Sequence, residues 1–183
     1  MSNFDSFIYN NISKLRSKTN LYIFNLITNN DNIVNICPNL YLGNYKSSQS
    51  LKILQNNNID SIVNCTKDIP FSEYFKHRNY IRIDVDDSKD IYNINNFKSK
   101  IIDAVIFINN EINNNKNVLV HCYWGIMRSP TVIASYLMFK YKMDVEAAIE
   151  FIKDKKNCSF HNVYNFREIL NYVNEEVTKF YDK

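Results

Sequence analysis

From residue 35 onward the spacing of apolar residues switches repeatedly between two periods, and no other feature constrains the fold as strongly. Short apolar runs at 35–45 (NICPNLYLGNY), 60–66 (DSIVNCT), 79–85 (NYIRIDV) and 118–122 (VLVHC) have the length and composition of strands. The first is expected to split into two strands at Pro38 and to end in a turn at Gly43. In the third, Ile81, Ile83 and Val85 share one face. Helical stripes lie between these runs. Residues 48–57 read as a short amphipathic helix, and 94–112 place apolar side chains at 94, 97, 101, 104, 105, 108 and 112. A further helix is expected from about Arg128, with Pro130 in its first turn and TVIASYLMF as its buried face. Asp144 is placed to cap a helix reaching about Lys155. Asn162 is placed to cap a last one, with Phe166, Ile169, Leu170, Val173 and Val177 on its inner face. Strands alternating with helices specify an α/β sheet covered on both sides. Such sheets carry their sites at the carboxyl ends of strands, where Cys122 stands.

The chain's 183 residues suffice for one domain with a sizeable core. Residues 1–34 fall outside the repeating pattern, with apolar islands FIYNNISKL and LYIFNLI in a polar background. They are expected to form an N-terminal helical extension packed on the core, the alternative being an arm that docks on a second copy as a homodimer. Residues 35–178 would then form the functional domain and 179–183 a C-terminal tail. No apolar run is long enough to span a bilayer, and the start lacks the charged-then-apolar order of a secretory leader. The expected setting is therefore cytoplasmic and reducing, with no membrane partner.

Cys37, Cys65, Cys122 and Cys158 are widely spaced, as are His77, His121 and His161, so no metal-ligand rhythm appears and no metal is expected. A net charge of +3 is too small to point to nucleic acid. Asparagine is over-used, at about thirty residues against ordinary usage. Isoleucine, lysine and tyrosine are abundant too, and all four have AT-rich codons. This bias reads as genome composition, since a prion-like tract needs longer uninterrupted runs.

The stretch HCYWGIMRSPT (121–131) carries the chemistry. A six-residue loop between a strand and a helix start turns its backbone N–H groups inward as an anion nest. Gly125 lets that loop turn without a Cβ in the way. Arg128 adds a planar fork matched to two phosphate oxygens. A thiol beneath such a nest is favoured as the thiolate, the nucleophilic form. Phosphate-binding backbone would come from Tyr123, Trp124, Gly125, Ile126, Met127 and Arg128, and Ser129 can donate a hydrogen bond to the sulfur of Cys122. His121 cannot serve as its base, because adjacent strand residues point to opposite faces; a supporting role through nearby backbone is expected. Only Gly43 and Gly125 exist, so a nucleotide-binding P-loop is excluded.

His-Cys-x-x-Gly-x-x-Arg-Ser-Pro-Thr, between an apolar strand and a helix, resembles the phosphate loop of dual-specificity protein phosphatases, a branch of the cysteine-based tyrosine phosphatase superfamily. LYLGNYKSS (40–48) resembles that family's early strand and turn, IVNCT (62–66) its next strand, and IRIDVDDSKDIYNINNF (81–97) its acid loop. The resemblance covers roughly residues 35–175 by motif order. It implies a mixed, mostly parallel sheet of about five strands flanked by helices, no cofactor or metal, phosphorylated protein substrates, and a reaction through a phosphocysteine. It also implies a general acid among Asp84, Asp86, Asp87 and Asp90. In the family the acid follows the strand isoleucine by four residues and precedes the helix phenylalanine by ten. Counting from Ile83 and back from Phe97 gives Asp87, with Asp86 as runner-up. Composition alone would make this cluster a solvated loop. Some relatives protect the oxidised nucleophile by a disulfide from near the position of Cys65, which makes Cys65 a candidate redox partner as well as a plain buried residue.

Two positions depart from the family pattern. Trp124 stands where a small residue is common and is expected to narrow or overhang the pocket, and Met127 stands where serine or glycine is common. No lysine flanks Gly125 within the loop, unlike the phosphoinositide branch. No counterpart of the tyrosine-specific enzymes' recognition loop appears, so a shallow pocket open to phosphotyrosine, phosphoserine and phosphothreonine is expected. Two other readings stand beside this one: an RNA 5′-triphosphatase-like enzyme on the same fold, and a pseudophosphatase that binds phosphorylated partners without cleaving them.

Overall fold

A computed structural model describes residues 32–88, 90–160 and 166–182. The segment 1–31 and the expected cap Asn162 lie outside the described residues. Among those described, five strands form one sheet in the order β1-β2-β5-β3-β4: β1 (Ile33–Cys37), β2 (Leu40–Gly43), β3 (Ile59–Asn64), β4 (Asn79–Arg82) and β5 (Asn117–His121). β1 and β2 are an antiparallel hairpin, and every other pairing is parallel. The hairpin turns through Pro38 and Asn39, whose φ of 65° is one that asparagine tolerates better than most side chains. β4 stops at Arg82, short of the expected 85, but Ile83 and Val85 beyond it are buried all the same.

Where one helix was expected over 48–57 there are two, α1 (Tyr45–Gln49) and α2 (Leu51–Asn56). Ser50 separates them because its backbone is extended (φ −86°, ψ 104°) and its side chain accepts from the Ile53 N–H, capping α2. Asn44 and Ser47 form a capping box on α1. The long helix α3 (Ile91–Asn113) starts earlier than its apolar stripe, since Asp90 accepts from the Asn93 N–H. Then come α4 (Arg128–Tyr141), α5 (Val145–Lys155), capped by Asp144, and α6 (Arg167–Tyr181). The residues set apart as a C-terminal tail begin inside α6. The Tyr181 hydroxyl donates to the Phe139 carbonyl at 2.7 Å, and Phe180 packs against the Phe139 ring.

Strand alternation sends Leu40, Leu42, Val63, Val118 and Val120 toward one face, where Phe97, Ile101 and Ile108 of α3 and Val132, Ile133 and Leu137 of α4 meet them. Ile62 and Leu119 point the other way, onto Leu54 of α2 and Phe75 of a short 3-10 turn. The first face holds most of the core. Residues 128–138 of α4 are buried on all sides, which fixes its N-terminus against the carboxyl edge of the sheet. At that edge Gly43, Asn64 and His121 lie side by side on neighbouring strands.

Candidate active site

β5 ends in the middle of the sheet, and Cys122 follows it, 2% exposed. Its Sγ accepts two hydrogen bonds, from the Gly125 N–H and from the Ser129 hydroxyl, each at 3.2 Å. Both donors lie within the loop and the first turn of α4, so they hold the sulfur at the foot of the loop. Gly125 has φ +69°, and a Cβ there would lie 2.6 Å from the Gly43 carbonyl oxygen. A Cβ on Gly43 would in turn meet Leu119 at 2.7 Å. The only two glycines in the chain thus face each other, one at the end of β2 and one in the loop. The close approach of two backbones demands both.

Met127 occupies the cap position of α4 and offers no side-chain acceptor to the first-turn N–H groups. Those groups and the positive end of the helix dipole are therefore available to an anion. Arg128 is aimed by carbonyls: Nη1 donates to Val85 O at 3.2 Å and Cys65 O at 3.4 Å, while Nη2 lies 2.8 Å from Asp87 Oδ2. Arg128 and Asp87 are each 4% exposed.

The four acidic candidates separate by what each touches. Asp84 pairs with Lys100, whose hydrogen bond holds the carboxyl below its usual range. Asp86 pairs with Lys67 at 2.6 Å on the surface. Asp90 caps α3 and accepts from Ser88, and these bonds lower it too. Of the four, Asp87 is the one beside Arg128. Asn93 was not foreseen. Its buried amide donates to the carbonyls of Asp86 (2.8 Å) and Ser88 (3.1 Å) and accepts from the Asp86 N–H (2.9 Å), so it grips the loop on both sides of Asp87. It reads in the sequence as one asparagine among many.

His121 Nδ1 is 3.4 Å from the Cys122 carbonyl, close to the backbone role expected for it. Burial pushes its pKa down to about 3, so the ring is neutral. Cys65 is buried, and its N–H donates to His121 O at 2.8 Å. Burial pushes its thiol well up, Cys122 adds to that, and Arg128 opposes it. Lys156, 6% exposed, brings Nζ to 3.0 Å from where a Gly125 Cβ would stand. The loop thus receives its lysine from the end of α5, which only the tertiary fold reveals. The segment after α5 also anchors the loop, with Phe160 N–H donating to Ile126 O at 2.7 Å. Met127 is buried, and Ile126 and Trp124 pack against the core. Trp124 is half-buried, and Tyr123 beside it is 39% exposed.

A sulfur under an anion cradle, reached by a parallel strand and left by a buried helix, places the molecule in the class of cysteine-based phosphatase folds. The dual specificity phosphatase catalytic-domain model matches residues 40–175, and the chain belongs to that family. Human dual specificity protein phosphatase 9 is 36% identical over 134 residues, 73% of this chain and 34% of that protein. The putative tyrosine phosphatase 123R of Invertebrate iridescent virus 6 is 31% identical over 138 residues, 75% of this chain and 89% of that protein. The crystal structure of human DUSP28 superposes with a TM-score of 0.71 at 18% identity, covering 80% of this chain and 95% of that one, which shows a shared fold. The chain spans only 20% of human dual specificity protein phosphatase 16, as it spans 34% of phosphatase 9.

Proposed function

We propose that the chain is a cysteine-dependent protein phosphatase that hydrolyses phosphomonoesters through a phosphocysteine. The carrying observation is the Cys122 sulfur, held by two donors at 3.2 Å at the foot of the loop that leads into Arg128. The phosphate oxygens take the loop N–H groups and the Arg128 fork. Sγ attacks phosphorus, the ester P–O bond breaks, and Asp87 gives its proton to the leaving oxygen. Asp87 Oδ2 lies 2.8 Å from Arg128 Nη2, so its carboxyl stands next to the phosphate that the fork holds. In the second step a water loses its proton to Asp87 and attacks phosphorus. The S–P bond breaks, the electron pair returns to sulfur, and the Ser129 hydroxyl stabilises the departing thiolate. A thiolate nucleophile requires a reducing compartment, where we place the protein. The presence of nucleophile, fork and acid together favours turnover over phosphate capture alone.

The test is p-nitrophenyl phosphate hydrolysis in EDTA by wild type and Cys122→Ser. Turnover in wild type that vanishes in Cys122→Ser is expected. A wild type that binds tungstate but does not turn over would make the protein a phospho-binding module instead.

A further inference from the structure

Three aromatic rings line one rim of the cradle, and the hydrolytic steps use none of them. Tyr45 opens α1 directly beyond the end of β2, and its N–H donates to Tyr123 O at 3.1 Å, tying α1 to the residue after the nucleophile. The Tyr45 and Tyr123 rings stack with centroids 4.9 Å apart and planes 29° apart. Trp124 meets Tyr123 edge-on, again at 4.9 Å. Trp124 is fixed on the core, so Tyr123 is braced from both sides while remaining 39% exposed. On the other side of the nucleophile lie the end of β3 and the loop bearing Asp87.

Cys122, Arg128 and Asp87 are all buried, whereas Tyr123, next to the nucleophile in the chain, is 39% exposed. A phosphoserine or phosphothreonine carries its phosphate on a single carbon and an ester oxygen. Bringing that phosphorus to Sγ draws the peptide main chain down against the rings. A phosphotyrosine carries its phosphate at the far end of a ring, so the main chain stays outside and the ring passes alongside Tyr123. Aromatic pairs favour offset or edge-on contact with centroids about 4.5–7 Å apart. We infer that Tyr123, braced by Tyr45 and Trp124, is a specificity-determining shelf for the substrate's aryl ring, and that the protein favours phosphotyrosine over phosphoserine and phosphothreonine. The inference rests on the phosphatase reading above and goes beyond the equal access of the three phosphoamino acids expected from sequence.

The experiment compares kcat/KM for two peptides of one sequence, carrying phosphotyrosine or phosphothreonine at one position. Wild type is expected to favour the phosphotyrosine peptide by about tenfold or more, the scale of one well-placed aromatic pair plus the area it buries. Tyr123→Leu lowers that ratio about tenfold, Tyr45→Leu lowers it less, and Tyr123→Phe, which keeps the ring, retains it. A wild-type ratio near one overturns the shelf even if the variants misfold. Cleavage of both peptides with a ratio unmoved in folded Tyr123→Leu overturns it as well and leaves the phosphatase reading intact. Cleavage of neither peptide overturns that reading and the shelf together.

Discussion

His121 offers the most quantitative test of how the site is built. The ring is fully buried beside the nucleophile, and burial moves its pKa from 6.5 to about 3. Between those values the unfolded chain binds a proton that the folded chain refuses, so stability rises with pH across the window. The contribution is complete above pH 6.5 and is lost as the pH falls. At pH 5 the unfolded imidazole is more than nine-tenths protonated and the folded one almost neutral, a loss of about 2 kcal/mol relative to pH 8. That value changes little if the folded pKa is a unit higher or lower. Carboxylates held low by partners, such as Asp84 and Glu146, lose most of their contribution only below their ordinary values of 3.8 and 4.5, so the change down to pH 5 is mainly the histidine's. Urea unfolding of wild type and His121→Gln at both pH values reads the effect. With a slope of about 2 kcal/mol per molar, the wild-type midpoint falls by about 1 M more than that of the variant. Equal pH dependence in the two proteins would refute the reasoning. So would an NMR titration of His121 in the folded protein centred near 6.5, a measurement that needs no variant.

Gly125→Ala forces an L-residue into φ +69° and drives its Cβ onto the Gly43 carbonyl. It is expected to destabilise by about 1–2 kcal/mol through the backbone alone. Shifting the loop should lower kcat by about 100-fold. Melting and turnover check this, and near-wild-type activity would show that the two glycines need not meet. Asp87→Asn should cost about 100-fold on a phosphopeptide, whose leaving group needs a proton, and far less on p-nitrophenyl phosphate. Equal losses on both substrates would remove Asp87 from the acid's role. Mild peroxide should link Cys65 to Cys122 reversibly, and Cys65→Ser should instead overoxidise at Cys122 and stay inactive after reduction. Peptide mapping that finds no such disulfide ends that idea.

The phosphate loop was legible because its chemistry is local. Nucleophile, glycine, arginine and serine lie within eight residues, and the strand before and helix after them have clear periods. The capping aspartate of α5 was legible for the same reason. Ser50 was not, since a serine inside an amphipathic run reads as a tolerated residue until its own backbone turns extended. The family's spacing pointed to Asp87, whereas composition alone read the cluster as a solvated loop; burial and the Arg128 cation, which set Asp87 apart from the other three, are tertiary. Lys156 and Asn93 stayed hidden for that reason too. The asparagine excess, read as codon bias, has a structural use as well. Asn39, Asn58 and Asn115 all adopt positive φ, taking positions that glycine fills in chains with more than two.

The central claim is that Cys122 carries the phosphoryl group, and trapping it tests that most directly. Ser129→Ala removes one donor to the sulfur and should slow the second step, so the intermediate accumulates. Acid quenching of this variant during turnover of a phosphotyrosine peptide, followed by mass mapping, should place one phosphoryl group on the peptide containing Cys122. A phosphoryl group on any other residue, or turnover in Cys122→Ser under the same conditions, would contradict the account.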